Sequence, residues 1–252
     1  MNRVRIFAML ALLFTFAGQA RGYEETEVQD GGKLIGTVRF VGEVPRLAPV
    51  PVKKNQDVCG KEKPVEILVV GPNRGVRDTV IYLEGITKGK KADARELHLD
   101  NIKCQFVPHV LAVMVEQPAV VKNSDPILHN THGFQDKVTV FNLALPIQHQ
   151  KINIKAKLKK PGLVHVLCDA HTHMWAWIVV RDNPYFAVTD ESGAFRIDNV
   201  PPGKYKVGAW HEGWKPTGRD KDGRVVYDAP RVITREITIP ARGDATIEFE
   251  LK

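Results

Sequence analysis

An all-β architecture is predicted by three features of this sequence. Short apolar runs rich in Val, Ile, Leu and aromatic residues recur along it, bounded by Gly, Pro, Asn, Asp and Lys, which is the signature of strands and turns. Their number and spacing suit a Greek-key sandwich. At Asn183-Pro184 the character changes and a second series of still tighter strand-and-turn signals begins, so two β units are expected.

Before the first strand, Arg3 and Arg5 precede an apolar stretch from Ile6 to Phe16 and a small-residue end at Gly18-Gln19-Ala20. This is the pattern of a secretory signal peptide over residues 1–20, cleaved after Ala20. The apolar run is too short for a membrane anchor, so a periplasmic or secreted protein without stable membrane insertion is expected. The first unit, 31–182, takes its strands from Leu34–Val41, Thr79–Glu84, Glu96–Ile102, His109–Val115, Val138–Asn142, Gly162–Leu167 and Trp175–Val180. A short helix has room at Thr87–Arg95, and Lys151–Lys160 alternates apolar and basic residues like an exposed or edge strand. About 150 residues suffice for a core. The second unit, 183–252, reads as strand Tyr185–Thr189, a DESG turn, strand Ala194–Ile197, a VPPG turn and strand Lys204–Trp210. Only residues 181–184 join the two units, so a shared interface is expected. Trp175 and Trp177 lie on one strand face, as interface core or as a docking patch.

Charge and motifs narrow the function. The formal charge of +7 becomes +5 once Arg3 and Arg5 leave with the leader. Basic stretches at Lys151–Lys160 and Trp214–Arg224 either steer an acidic partner or form a solvated face. No arginine-rich helix or aromatic-interleaved groove suggests nucleic acid. The sequence carries no CxxCH haem motif, Walker loop, dinucleotide fingerprint, HExxH or nucleophile elbow, and an enzyme is not expected.

Chemistry concentrates in four residues: His129, Cys168, His171 and Met174. Two imidazoles, one thiolate and one thioether are the donor set of a mononuclear electron-transfer copper site. Taken singly, each has an ordinary explanation in packing or at the surface. Their conjunction is harder to dismiss, because Cys168, His171 and Met174 recur every third residue in a loop between two strands. Upstream, the apolar run Pro118–Lys122 ends in the turn signal Asn123-Ser124-Asp125-Pro126, and His129 lies just beyond it.

The segments PILHNTH and CDAHTHMWAWIVV resemble the copper-binding halves of the cupredoxins, with a short C-x2-H-x2-M loop of the amicyanin type. The resemblance implies one copper ion cycling between Cu(I) and Cu(II). His129, Cys168 and His171 would be its equatorial ligands and Met174 the weak axial one. Asn130 matches the asparagine that ties the two ligand segments together. The implied partner is a redox protein such as a cytochrome or a copper or haem oxidoreductase. Two departures are Ala170, where such loops commonly have proline, and Ala176, where a glycine often stands. Two further imidazoles, His132 and His173, either join the metal shell, pushing the site toward a tetragonal carrier or storage type, or stay outside it. His109 and His211 read as packed or hydrogen-bonded side chains.

The stretch NPYFAVTDESGAFRIDNVPPGKYKVGAWHEG resembles the transthyretin-like carboxypeptidase regulatory-like sandwich, which implies fold and little about activity. LIGTVRF from Leu34 resembles the opening strand of the same sandwich, so the N-terminal strands fit either unit. Cysteine use agrees with export. With Cys168 assigned to the metal, Cys59 and Cys104 are left as a disulfide pair, or as free buried thiols. The expected function is single-electron transfer. The alternatives are copper carriage or storage, or a non-catalytic binding module that keeps the fold.

Overall fold

The computed structural model describes residues 22–252; the leader expected at 1–20 lies outside them. Among the described residues no helix is long and apolar enough to cross a membrane. The main strands, in chain order, are β1 (Gly32–Phe40), β2 (Val80–Leu83), β3 (Leu97–Ile102), β4 (Gln105–Val107), β5 (Val110–Met114), β6 (Ala119–Asn123), β7 (His129–Gln135), β8 (Val138–Leu145), β9 (Lys151–Asn153), β10 (Gly162–Leu167) and β11 (Trp175–Arg181). They are followed by β12 (Phe186–Val188), β13 (Ala194–Val200), β14 (Gly203–His211), β15 (Arg231–Ile239) and β16 (Asp244–Leu251).

The protein is all-β, with two sandwiches. In the first, a sheet ordered β9-β6-β3-β4 faces one ordered β8-β7-β10-β11-β5. β6 pairs with β3, and β11 with β5, in parallel, while the other pairings in these two sheets are antiparallel. Leu99, Phe106, Val121, Phe141, Val166 and Ile178 fill the space between them. In the second, a sheet ordered β12-β2-β14-β15 faces β13-β1-β16, over a core that includes Leu34, Ile81, Val207, Trp214 and Phe249.

The second sandwich therefore takes β1 and β2 from the N-terminal third, by parallel pairing of β1 with β16 and antiparallel pairing of β2 with β12 and β14. A contiguous first unit over 31–182 does not describe this pairing, because the likeness of LIGTVRF to a sandwich-opening strand reflects its actual partners. The helix expected at Thr87–Arg95 is absent. Lys88–Gly89 instead pairs with Glu24–Glu25, and Gly89 has φ +153, with the Tyr185 hydroxyl where a Cβ would stand. Lys151–Lys160 is an edge strand, β9, followed by a 3-10 turn at Lys155–Lys157.

The sandwiches stack face to face. Strand periodicity sends alternate residues to opposite faces, so β2 turns Ile81 and Leu83 into the second core while Val80 and Tyr82 point to the first sandwich. β11 behaves likewise. Ala176, Ile178 and Val180 enter the first core, and Trp177 and Val179 join Val110, Ala112 and Trp210 between the sandwiches. Trp175 packs against the second core, so both tryptophans belong to the interface and not to a docking patch.

Candidate metal centre

Two adjacent strand ends bring the donors together. β7 starts at His129, after a turn held by Asn123. The Asn123 amide donates to the carbonyls of Ile127 and Leu145 at 2.8 and 2.9 Å, and its oxygen accepts the Asp125 N–H at 3.0 Å. Beside it, β10 ends at Leu167 and the chain turns back into β11. Inside that loop the Met174 N–H donates to the His171 carbonyl at 3.0 Å, and the Cys168 N–H to the Met174 carbonyl at 3.3 Å. The spacing of three residues thus folds into a closed loop. β7 pairs with β10 directly, His132 opposite Leu167. A bulge follows at Gly133, where the Phe141 ring occupies the place of a Cβ.

The Cys168 Sγ lies 3.6 Å from His171 Nδ1 and 4.0 Å from His129 Nδ1. The donor atoms of these three residues fall within 4.8 Å of one another, a span that one ion can bridge. Each imidazole is held from behind. His129 Nε2 meets the Asp125 carboxylate at 2.9 Å, and His171 Nε2 meets Asn55 Oδ1 at 2.9 Å. Both partners are acceptors, so each Nε2 carries the proton and each Nδ1 keeps a lone pair facing the sulfur. Asn130 links the two segments as expected. Its N–H points at Sγ at 3.4 Å and its Oδ1 accepts the Asp169 N–H at 3.2 Å. Met174 is buried in the same apolar cluster as Cys168.

The site is dry: His129 and Cys168 are 0 % exposed, Met174 1 % and His171 2 %. Burial pulls His129 below the usual imidazole range and, with the neighbouring His129, brings His171 down to about 4. Both rings are therefore neutral near pH 7, the form that ligates a metal. Burial pushes the Cys168 thiol up, against hydrogen bonds from Asn130, His171 and Ala170. An incoming metal ion must displace that proton.

Of the extra imidazoles, His132 is used elsewhere: its nitrogens meet Asp169 at 3.0 Å and Thr139 at 2.9 Å, and its ring packs on Phe134. His173 lies outside the three-donor group, its ring 5.7 Å from that of His171. A neighbouring set, Cys104, Asp125 and His129, also lies close. Cys104 is bonded to Cys59, with Cα atoms 5.3 Å apart, so it offers no thiolate. The pairing expected for these cysteines is present, and Cys168 is free.

Sequence reasoning missed the residues behind the donors. Asp125 was legible only as part of a turn, yet its carboxylate also accepts the N–H groups of Lys103 and Cys104, both at 2.7 Å. Asn55 and Arg224 carry no local signal. Arg224, from the second sandwich, donates to the Cys168 carbonyl at 2.6 Å, so that sandwich braces the ligand loop. Near it, Glu212 binds His109 on one side and the Trp177 indole N–H on the other, the latter at 2.9 Å. His211 Nδ1 donates to the Glu212 carbonyl at 2.8 Å, in keeping with a structural role.

Comparison with known proteins gives partial likenesses. The family described as polysaccharide lyase family 4, domain II, matches residues 172–227. That match begins inside the ligand loop and runs into the second sandwich, and its description is not the carboxypeptidase regulatory-like one. Among curated proteins, no sequence matches the chain. Similar solved structures include a Cu-containing nitrite reductase (NirK) from Thermus scotoductus SA-01, at 18% identity and TM-score 0.30, covering 36% of this chain and 24% of that one. A purple cupredoxin from Nitrosopumilus maritimus shares 17% identity at TM-score 0.30, over 35% of this chain and 100% of its own. A variant of amicyanin in its reduced Cu(I) form at pH 4 shares 20% identity at TM-score 0.28, over 36% of this chain and 86% of its own. The chain thus spans about a quarter of the nitrite reductase, and about a third of this chain takes part in each likeness.

Proposed function

We propose that this chain is an exported mononuclear copper protein that passes single electrons between redox partners, such as a cytochrome and a copper or haem oxidoreductase. One observation carries the reading: two Nδ1 lone pairs converge on the buried Cys168 sulfur while both Nε2–H groups are tied down. His129, Cys168 and His171 would hold the ion, with the thioether of Met174 as a further, weaker donor. When bound, copper supplies the Cu(I)/Cu(II) couple. The residues supply rigidity, since Asp125 and Asn55 fix the rings and Arg224 and Met174 fix the main chain of Cys168. Donors that cannot move need little reorganisation on oxidation or reduction. Apolar neighbours exclude water from the thiolate.

A second reading, copper carriage, is favoured by the cover over His171, whose outer nitrogen is closed by Asn55. Spectroscopy separates the two. Cu(II) added to the purified protein is expected to give an intense thiolate-to-copper band in the visible and small hyperfine splitting in electron paramagnetic resonance. A weakly coloured, tetragonal spectrum would favour carriage. Cys168→Ser is expected to lose the band while keeping its fold by circular dichroism; a band that persists in this variant removes the thiolate assignment.

A further inference from the structure

The donors are sealed on several sides. Asn55 closes His171 Nε2, Asp125 closes His129 Nε2, and Arg224 covers the Cys168 carbonyl. An ion that reaches them needs an entrance. One cleft reaches Met174: its walls include Lys63, Glu66, Gln105, His109, His173 and Met174, and it holds about 20 Å³. That is room for about one water-sized particle.

His173 lines this cleft, and its ring is 5.7 Å from that of His171. It is only 6 % exposed, and neither ring nitrogen makes a well-formed hydrogen bond, the Cys104 main chain being the one polar group that approaches the ring. A buried imidazole kept for packing alone would carry a desolvation cost that an apolar side chain of similar size avoids. The carboxylate and the second imidazole at the cleft are occupied. Glu66 accepts from Gln105 at 2.8 Å and pairs with Arg77 at 3.2 Å, and His109 is bound to Glu212. His173 is the imidazole at this cleft with no side-chain partner, next in sequence to the thioether of Met174.

We propose that His173 and Met174 form a copper-entry port, at which an ion arriving through the cleft is first held and then handed to His129, Cys168 and His171. The inference rests on the copper reading of those three residues. Handover is ligand exchange without electron transfer. The bond to the His173 nitrogen breaks, a bond to Cys168 Sγ forms, and the thiol proton leaves to solvent. Met174 can stay attached throughout, which keeps the ion from returning to water between sites.

The test is the rate at which the visible thiolate-to-copper band rises when copper(II) sulfate is mixed with metal-free protein in a stopped-flow instrument. His173→Gln is expected to slow the rise by roughly tenfold or more, with the same final band height and position. Lys63→Glu, at the cleft wall, is expected to speed it, because an acidic side chain there attracts the cation; this variant serves if His173→Gln does not fold. Unchanged rates in the variants overturn the port. A final band that is shifted or lost in folded His173→Gln also overturns it, by making His173 a permanent ligand. No band in the wild-type protein fails the copper reading itself, a result distinct from a band that rises at equal rates.

Discussion

His129 and His171 owe their useful tautomers to Asp125 and Asn55, so those two residues are where a single substitution should alter the site without removing a donor. Asp125 has the wider role, since it accepts from His129, Lys103 and Cys104 together. Asp125→Asn keeps the size and loses the charge. It is expected to lower copper affinity by about 10- to 100-fold, the usual effect of losing a partner behind a ligand; competition against a chelator of known affinity measures this, and unchanged affinity would count against the role given to Asp125. Residue type and spacing drew attention to Cys168, His171 and Met174 because they fall within one loop, and the fold places Cys168 and His171 beside His129. Asn55 was not legible, because it lies 116 residues from the ring it holds. His132 and His173 were open for a related reason: only the fold shows that His132 has partners of its own while His173 has no side-chain partner.

At the scale of elements, the decisive piece is the segment around Asn55. A short helical turn, Gln56–Cys59, follows it, and the Asn55 carbonyl accepts the N–H groups of Val58 and Cys59 at 3.0 and 2.8 Å. The disulfide from Cys59 then anchors the turn to Cys104, beside the Asp125 carboxylate. One covalent link thus steadies the cover over His171 and the turn before His129. Replacing both cysteines by serine opens a loop with a sequence separation of 45, and a loss of about 2 to 4 kcal/mol is expected in denaturant unfolding. The same variant should surrender copper to a chelator faster than the wild type; an equal release rate would separate the disulfide from the metal site. Most strands were legible because their apolar runs are flanked by turn residues. β15 and β16 escaped notice although β16 alternates exposed and buried residues along its whole length, because charged residues on its outer face dilute the apolar signal. Pairing partners were the harder part, since β2 is buried on both faces and an apolar run of that kind does not name its neighbours.

For the whole molecule, interleaved strands make the two sandwiches depend on each other. Ending the chain at Arg181 would remove β12 to β16 and leave β1 and β2 without their partners, so that fragment is expected to lack the cooperative thermal transition of the full chain. A fragment that unfolds cooperatively with full-length stability would contradict the pairing. The interface also carries a titratable pair, His109 with Glu212. Burial pulls the His109 imidazole down, but the Glu212 carboxylate, helped by Asp78 and Glu66, more than offsets it and the net shift is upward. A raised folded value means that the pair stabilises fully below the unfolded value of about 6.5 and loses that contribution as pH climbs through the folded value. The difference in unfolding free energy between wild type and His109→Gln should therefore be largest at mildly acid pH and shrink on the alkaline side; a constant difference would leave the pair neutral. Nothing near His109 in sequence announces Glu212, because the two meet only when the sandwiches stack.

Copper-edge X-ray absorption on the loaded protein reads the donor atoms themselves. One short sulfur scatterer with two imidazole scatterers is expected, and loss of the short sulfur in Cys168→Ser with both imidazoles retained. A shell of nitrogen and oxygen alone in the wild-type protein would contradict this donor set.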